Sequence, residues 1–156
     1  MMKYDPTSFA LSPRDSVTEN RVKEWLRGAD DAAKFEFIWR VLSLNHVMGL
    51  ELARTCQLKP IFLEAILEKM LVYSDASSIR TALSSVAHGL GHRRVLEVIR
   101  SHMGKAPLCV FKTLYWLPSL YQGQDESLRG EVQRLRDEFN ERYPNFSPLR
   151  STGTHA

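Results

Sequence analysis

Residues 107–142 read PLCVFKTLYWLPSLYQGQDESLRGEVQRLRDEFNER, and this stretch sets the fold class. Pro107 suits the first position of a helix, where no backbone N–H is needed. Leu108, Val110, Phe111, Leu114 and Leu117 follow at core-like helical spacing, and Pro118 is expected to end the helix. Gly123-Gln124-Asp125 is a turn. From 126 to 142 the apolar residues Leu128, Val132, Leu135 and Phe139 form a single stripe, with polar and charged residues around it. A helix with one apolar stripe buries one face, so this helix closes an end of the molecule.

The same plan precedes it. Ser74-Asp75 is expected to cap a helix carrying Ile79, Leu83 and Val86 among many small residues. Gly89 and Gly91 make a tight turn. The next helix runs to about Met103 and buries Val95, Leu96, Val98 and Ile99. Ile79, Leu83 and Val86 recur as Val110, Leu114 and Leu117, at an offset of 31.

Further towards the N-terminus, residues 35–56 are apolar nearly all round. Their polar residues, Glu36, Arg40, Ser43, Glu51 and Arg54, fall in one quadrant of a helical wheel, so this segment is central. Asp30-Asp31 starts it. Asn45 and Gly49 are weak helix formers, and the pattern allows either one long helix over 31–57 or a hairpin near Asn45. Lys59-Pro60 opens the next helix. Ser16-Val17-Thr18-Glu19 matches a capping box, and Gly28 ends the short helix that follows. Residues 1–15 are expected to form an irregular arm, 16–143 one all-helical domain, and 144–156 a polar tail.

The paired helices and their offset resemble a degenerate HEAT or armadillo-type stack of antiparallel α-hairpins over roughly residues 31–142. The ankyrin and tetratricopeptide signatures are missing. The resemblance implies a curved right-handed stack that binds macromolecules along its inner face. An irregular multi-helix bundle is the other all-α arrangement compatible with the pattern.

The chain has 156 residues, 44% of them hydrophobic and 25% charged, enough for one domain with a core. No apolar run reaches the ~20 residues a membrane helix requires, and the first residues lack a signal-peptide core. A cytoplasmic location is therefore expected, without membrane partners. Cys56 and Cys109 lie in apolar patterns that suit free thiols in a reducing compartment.

Net charge is +3, but residues 77–112 hold Arg80, Arg93, Arg94, Arg100, Lys105 and Lys112 against the single acid Glu97. That stretch is +5, which leaves −2 for the rest. Such a side suits an acidic protein surface or nucleic acid, or is a solvated face alone. Trp116 and Tyr121 follow it, and Trp, Tyr and Arg are enriched at interface hot spots. Together with the arginines they make a candidate basic-aromatic patch, unless both rings finish the core under the last helix.

Chemistry finds little footing. His88 and His92 are four apart, the spacing of two zinc ligands on one helix face, but two glycines lie between them and break that face. His46 sits on a core-like sector. Cys56 and Cys109 have apolar surroundings that keep a thiol protonated. Asp30-Asp31 marks a helix start, and Glu64 and Glu68 lie on a solvated strip. The expectation is a non-catalytic helical domain without metal or cofactor. It would bind an acidic protein partner as an adaptor, a chaperone or an inhibitor, of which a toxin-neutralising immunity protein is one kind. A nucleic-acid-binding protein using the basic face of residues 77–112 is the alternative.

Overall fold

Short polar side chains that cap helix ends punctuate this chain. The computed structural model describes residues 2–73 and 76–146, among which nine helices form and no strand. They are α1 (Pro6–Leu11), α2 (Ser16–Gly28), α3 (Asp31–Leu44), α4 (His46–Thr55), α5 (Pro60–Tyr73), α6 (Ala76–Leu90), α7 (His92–Ser101), α8 (Pro107–Leu120) and α9 (Glu126–Arg142). The carboxylates of Asp5, Asp15, Asp30 and Asp125 each accept a backbone N–H from the first turn of α1, α2, α3 and α9. The fold is all-α, with packed helix pairs compatible with a helical repeat.

Several local expectations change. Residues 1–15 are not wholly irregular: Asp5 and Pro6 start α1, which packs on α3. The cap of α2 is Asp15, with Ser16 as the first helical residue. Glu19 does not reach back to the helix start. Its buried carboxylate accepts two bonds from Arg14, at 2.5 and 2.9 Å. Pro118 does not stop α8, which continues to Leu120 until the Tyr121 N–H closes on Leu117 O. Proline at 118 removes the N–H that would bond Leu114 O and crowds that carbonyl, and α8 ends two residues later. Gly89 remains inside α6, and Gly91 alone makes the turn, with a φ of +91° that favours glycine. The expected cap at Ser74-Asp75 and the tail from residue 147 lie outside the described residues.

Asn45 resolves the open choice over residues 31–57. It ends α3 and begins α4, so the segment is a hairpin. Its Oδ1 accepts the Met48 N–H at 3.1 Å, and its Nδ2 donates to Ala10 O at 3.2 Å, tying α1 to the corner. Asn45→Ala removes both bonds and is expected to cost about 1–2 kcal/mol. Asn45→Asp keeps the cap and loses only the donor to Ala10, so its urea midpoint should fall between wild type and Asn45→Ala.

Contacts between alternate helices define two layers. Asp31 pairs with Lys59, Phe35 packs tilted against Phe62, and Lys69 donates to Ser43, so α3 and α5 run parallel. Arg94 reaches Glu64 near the starts of α7 and α5. Arg93 and Arg100 on α7 reach Glu131 and Glu138 on α9, seven residues apart on both helices. The first layer is therefore α3, α5, α7 and α9. The second is α4, α6 and α8, each packed on the next. Cys109 at the start of α8 meets Val72 O just before α6, and Tyr121 after α8 meets His92 just after α6. Helices α6 and α8 are thus parallel neighbours. Ile79, Leu83 and Val86, with Val110, Leu114 and Leu117, all face the core between the layers. The stripe of α9 (Leu128, Val132, Leu135, Phe139) is buried as a one-sided lid over the last pair.

Candidate functional site

Five of the six basic residues of 77–112 divide between the two layers, and Lys105 lies in the loop between α7 and α8. Arg93, Arg94 and Arg100 lie on α7, in the first layer, and each has a carboxylate partner. Arg93 bonds Glu131 and reaches Ser127 Oγ at 3.3 Å; Arg100 bonds Glu138 at 2.9 Å. Arg94 donates to Glu64 at 2.5 Å and to Glu97 at 2.8 Å, and these bonds hold its guanidinium above its ordinary pKa. Such exposed pairs fix little stability. Their larger effect is electrostatic: they cancel the positive field on that side.

Arg80, on α6, and Lys112, on α8, are in the second layer, and neither α6 nor α8 contains an Asp or Glu. Neither residue forms an ion pair among the described residues, nor does Lys105 in the loop before α8. The Arg80 guanidinium lies over the Trp116 ring, 5.1 Å from its centroid, which joins α6 to α8. The Trp116 ring is half-buried, and its Nε1–H is enclosed without an acceptor among the described residues. Lys112 sits one turn before Trp116.

Tyr121 does not join this patch. It is 1% exposed and lies beneath the surface, edge-on to His92 with ring centroids 4.7 Å apart. The five residues first grouped as one patch (Arg93, Arg94, Arg100, Trp116 and Tyr121) therefore divide between the first layer, the second layer and the interior.

Tyr115 belongs on the second-layer face instead. It is 64% exposed and meets Trp116 edge-on, with centroids 5.3 Å apart. Leu108, assigned to the core from spacing alone, is also exposed. Leu108, Lys112, Tyr115 and Ser119 step by four, three and four along α8, and the two polar members identify that strip as the solvent side. The face thus combines unpaired cations, an exposed phenol ring and apolar side chains.

Tyr121 has its own consequence. Burial without a hydrogen-bond partner pushes its phenol up to about 12. The folded state holds the proton more tightly than the unfolded chain, so this group's contribution is intact below pH 10 and is lost as pH rises through the interval to about 12. Tyr121→Phe removes the unpartnered hydroxyl. It is expected to raise stability by about 1 kcal/mol and to flatten that alkaline decline in denaturation midpoints.

Other groups offer less. Among the described residues, no cluster of three or more His, Cys, Asp or Glu side chains is placed to hold a metal. His88 is exposed, while His102 is buried with Nδ1 bonded to Val98 O. The Cys56 thiol is enclosed and pushed up by burial, with Thr55 Oγ1 as its hydrogen-bonding neighbour at 3.7 Å. A groove of about 730 Å³ runs past Trp39, His46, Lys69 and Val72. Its lysine already sits over Trp39 and donates to Ser43. Among the described residues, no helix is long and apolar enough to cross a membrane.

The fold and this face define an all-helical protein with one charge-cancelled and one cation-bearing side. No family model, curated protein or solved structure matches the chain.

Proposed function

We propose that this chain is a non-catalytic helical domain, a HEAT-like stack of hairpins, that binds an acidic partner protein through the α6/α8 face. The observation that carries this reading is the sorting of charge. Arginines on α7 are matched by acids of α5, α7 and α9, while Arg80 and Lys112 stand beside Tyr115 and Trp116 on helices without acids. Cations beside aromatic rings on an otherwise well-packed surface suit a protein interface. A domain of this kind acts as an adaptor, a chaperone or an inhibitor, a toxin-neutralising immunity protein being one form of the last. The free thiols Cys56 and Cys109 fit a cytoplasmic setting.

The test is partner recovery by two charge-reversed chains. Arg80→Glu/Lys112→Glu is expected to abolish recovery, and Arg93→Glu/Arg100→Glu to leave it intact. The opposite pattern contradicts the assignment. Heparin and DNA retention across a salt series tests the nucleic-acid alternative, whose mark is a steep loss of binding with salt. With only Arg80, Lys105 and Lys112 of the basic stretch unpaired, retention is expected to be weak and its slope shallow.

A further inference from the structure

Among the described residues, Trp116 Nε1–H is a buried donor with no acceptor. Such groups are uncommon in folded chains and call for an explanation. Three features lie near its side chain. The Arg80 guanidinium covers the ring at 5.1 Å, Lys112 precedes it by one helical turn, and exposed Tyr115 flanks it edge-on. An acceptor reaching the indole would thus arrive next to the Arg80 guanidinium, on helices that hold no carboxylate of their own.

Resting on the interface reading above, we propose that the Arg80–Trp116 contact is a carboxylate receptor for an acidic segment of the partner protein. In the free chain the guanidinium rests on the indole ring as a cation–π pair. On binding, an Asp or Glu carboxylate of the partner accepts from Arg80 through one oxygen and from Trp116 Nε1–H through the other, with Lys112 adding charge. A charge-assisted hydrogen bond is stronger than an exposed cation–π contact, so Arg80 is drawn off the ring and the indole N–H gains the acceptor it lacks. Charge complementarity selects an acidic ligand. The apolar flank of Leu108 and Tyr115 favours a peptide over a phosphate polymer, because side chains next to the carboxylate gain contact there. A nucleic-acid strand would instead need a longer track of cations than α6 and α8 supply.

The test uses the full chain and an acetylated octaglutamate peptide, with a heparin octasaccharide as the sulfate-bearing comparator. Trp116→Phe keeps an aromatic face under Arg80 but removes the pyrrole ring together with its N–H. It is expected to weaken peptide binding about tenfold, the effect of one hydrogen bond to a charged group. Arg80→Ala should weaken it at least as much, and Arg93→Ala should leave it unchanged. In the nuclear magnetic resonance spectrum of the unaltered chain, the indole N–H signal of Trp116 should move downfield on adding peptide. That readout needs no variant to fold.

No peptide binding, an unmoved indole signal, or tighter binding of heparin through the same residues would each overturn the proposal. Partner recovery separates this failure from that of the broader reading. If Arg80→Glu/Lys112→Glu loses the partner but Trp116→Phe retains it with full affinity, the interface stands and the indole contact falls. If both chains retain the partner, the interface assignment itself falls.

Discussion

Replacing Gly49 by valine is expected to destabilise the protein by about 3 kcal/mol or more. A Cβ at position 49 would sit 2.5 Å from Leu42 Cα, 2.7 Å from its N and 2.8 Å from its Cβ. The first two are backbone atoms, so no rotamer change relieves the overlap. Only separating α4 from α3 does, and that opens the core around Val41, Leu42, Leu50 and Ala53, all buried. For a domain of this size the loss corresponds to a fall in Tm of roughly 10 °C. Gly49→Ala should act in the same direction with smaller size. Gly28 gives the control: its added Cβ meets nothing within 4 Å, so Gly28→Ala should leave Tm nearly unchanged. A Gly49→Ala chain as stable as wild type would contradict the close α3–α4 crossing.

The second large effect is expected at Phe139. Its ring is 1% exposed and packs against Phe111, Tyr143 and Phe146. Phe139→Ala leaves a cavity under the lid and is expected to cost about 3–5 kcal/mol. The loss should be concentrated in α9, because that helix has only its one stripe to hold it. Hydrogen exchange should therefore show α9 amides losing protection ahead of those in α3 or α6. Uniform loss across all helices would mean that α9 is part of the central core rather than a cover. Arg93 and Arg100 would lose their carboxylate partners as α9 detaches, exposing positive charge on the first layer as well.

Long-range packing that depends on a repeated apolar spacing was legible in the sequence. The stripe of α9, and the match of Ile79, Leu83 and Val86 with Val110, Leu114 and Leu117, both mark buried faces. Ends of helices were less so. Asp15 and Ser16 are both good caps, and spacing does not choose between them. Asn45 caps Met48 locally, but its second bond goes to an acceptor 35 residues away, the carbonyl of Ala10, which no local pattern contains. Pro118 interrupts α8 without ending it, because the helix runs on to Leu120 and closes only at Tyr121.

The basic stretch shows the same limit more sharply. Counting charge along residues 77–112 puts six cations on one side, yet three belong to α7 and meet acids from α5, α7 and α9. Those acids, Glu64, Glu131 and Glu138 among them, mostly lie outside the counted window. Tyr121 and Tyr115 exchanged roles for a related reason. Position on a helix wheel separates core from solvent only when the neighbouring helices are known. On α8, polar Lys112 and Ser119 would have placed Tyr115 outside; nothing local placed Tyr121 against His92.

Site-specific photo-crosslinking tests the distinction between the two layers most directly. A photoreactive phenylalanine analogue at position 115 lies on the α6/α8 face, and one at exposed position 134 lies on α9. With the full chain and its partner present, covalent capture at 115 and none at 134 is the expected result. Capture at 134 with none at 115 would contradict it.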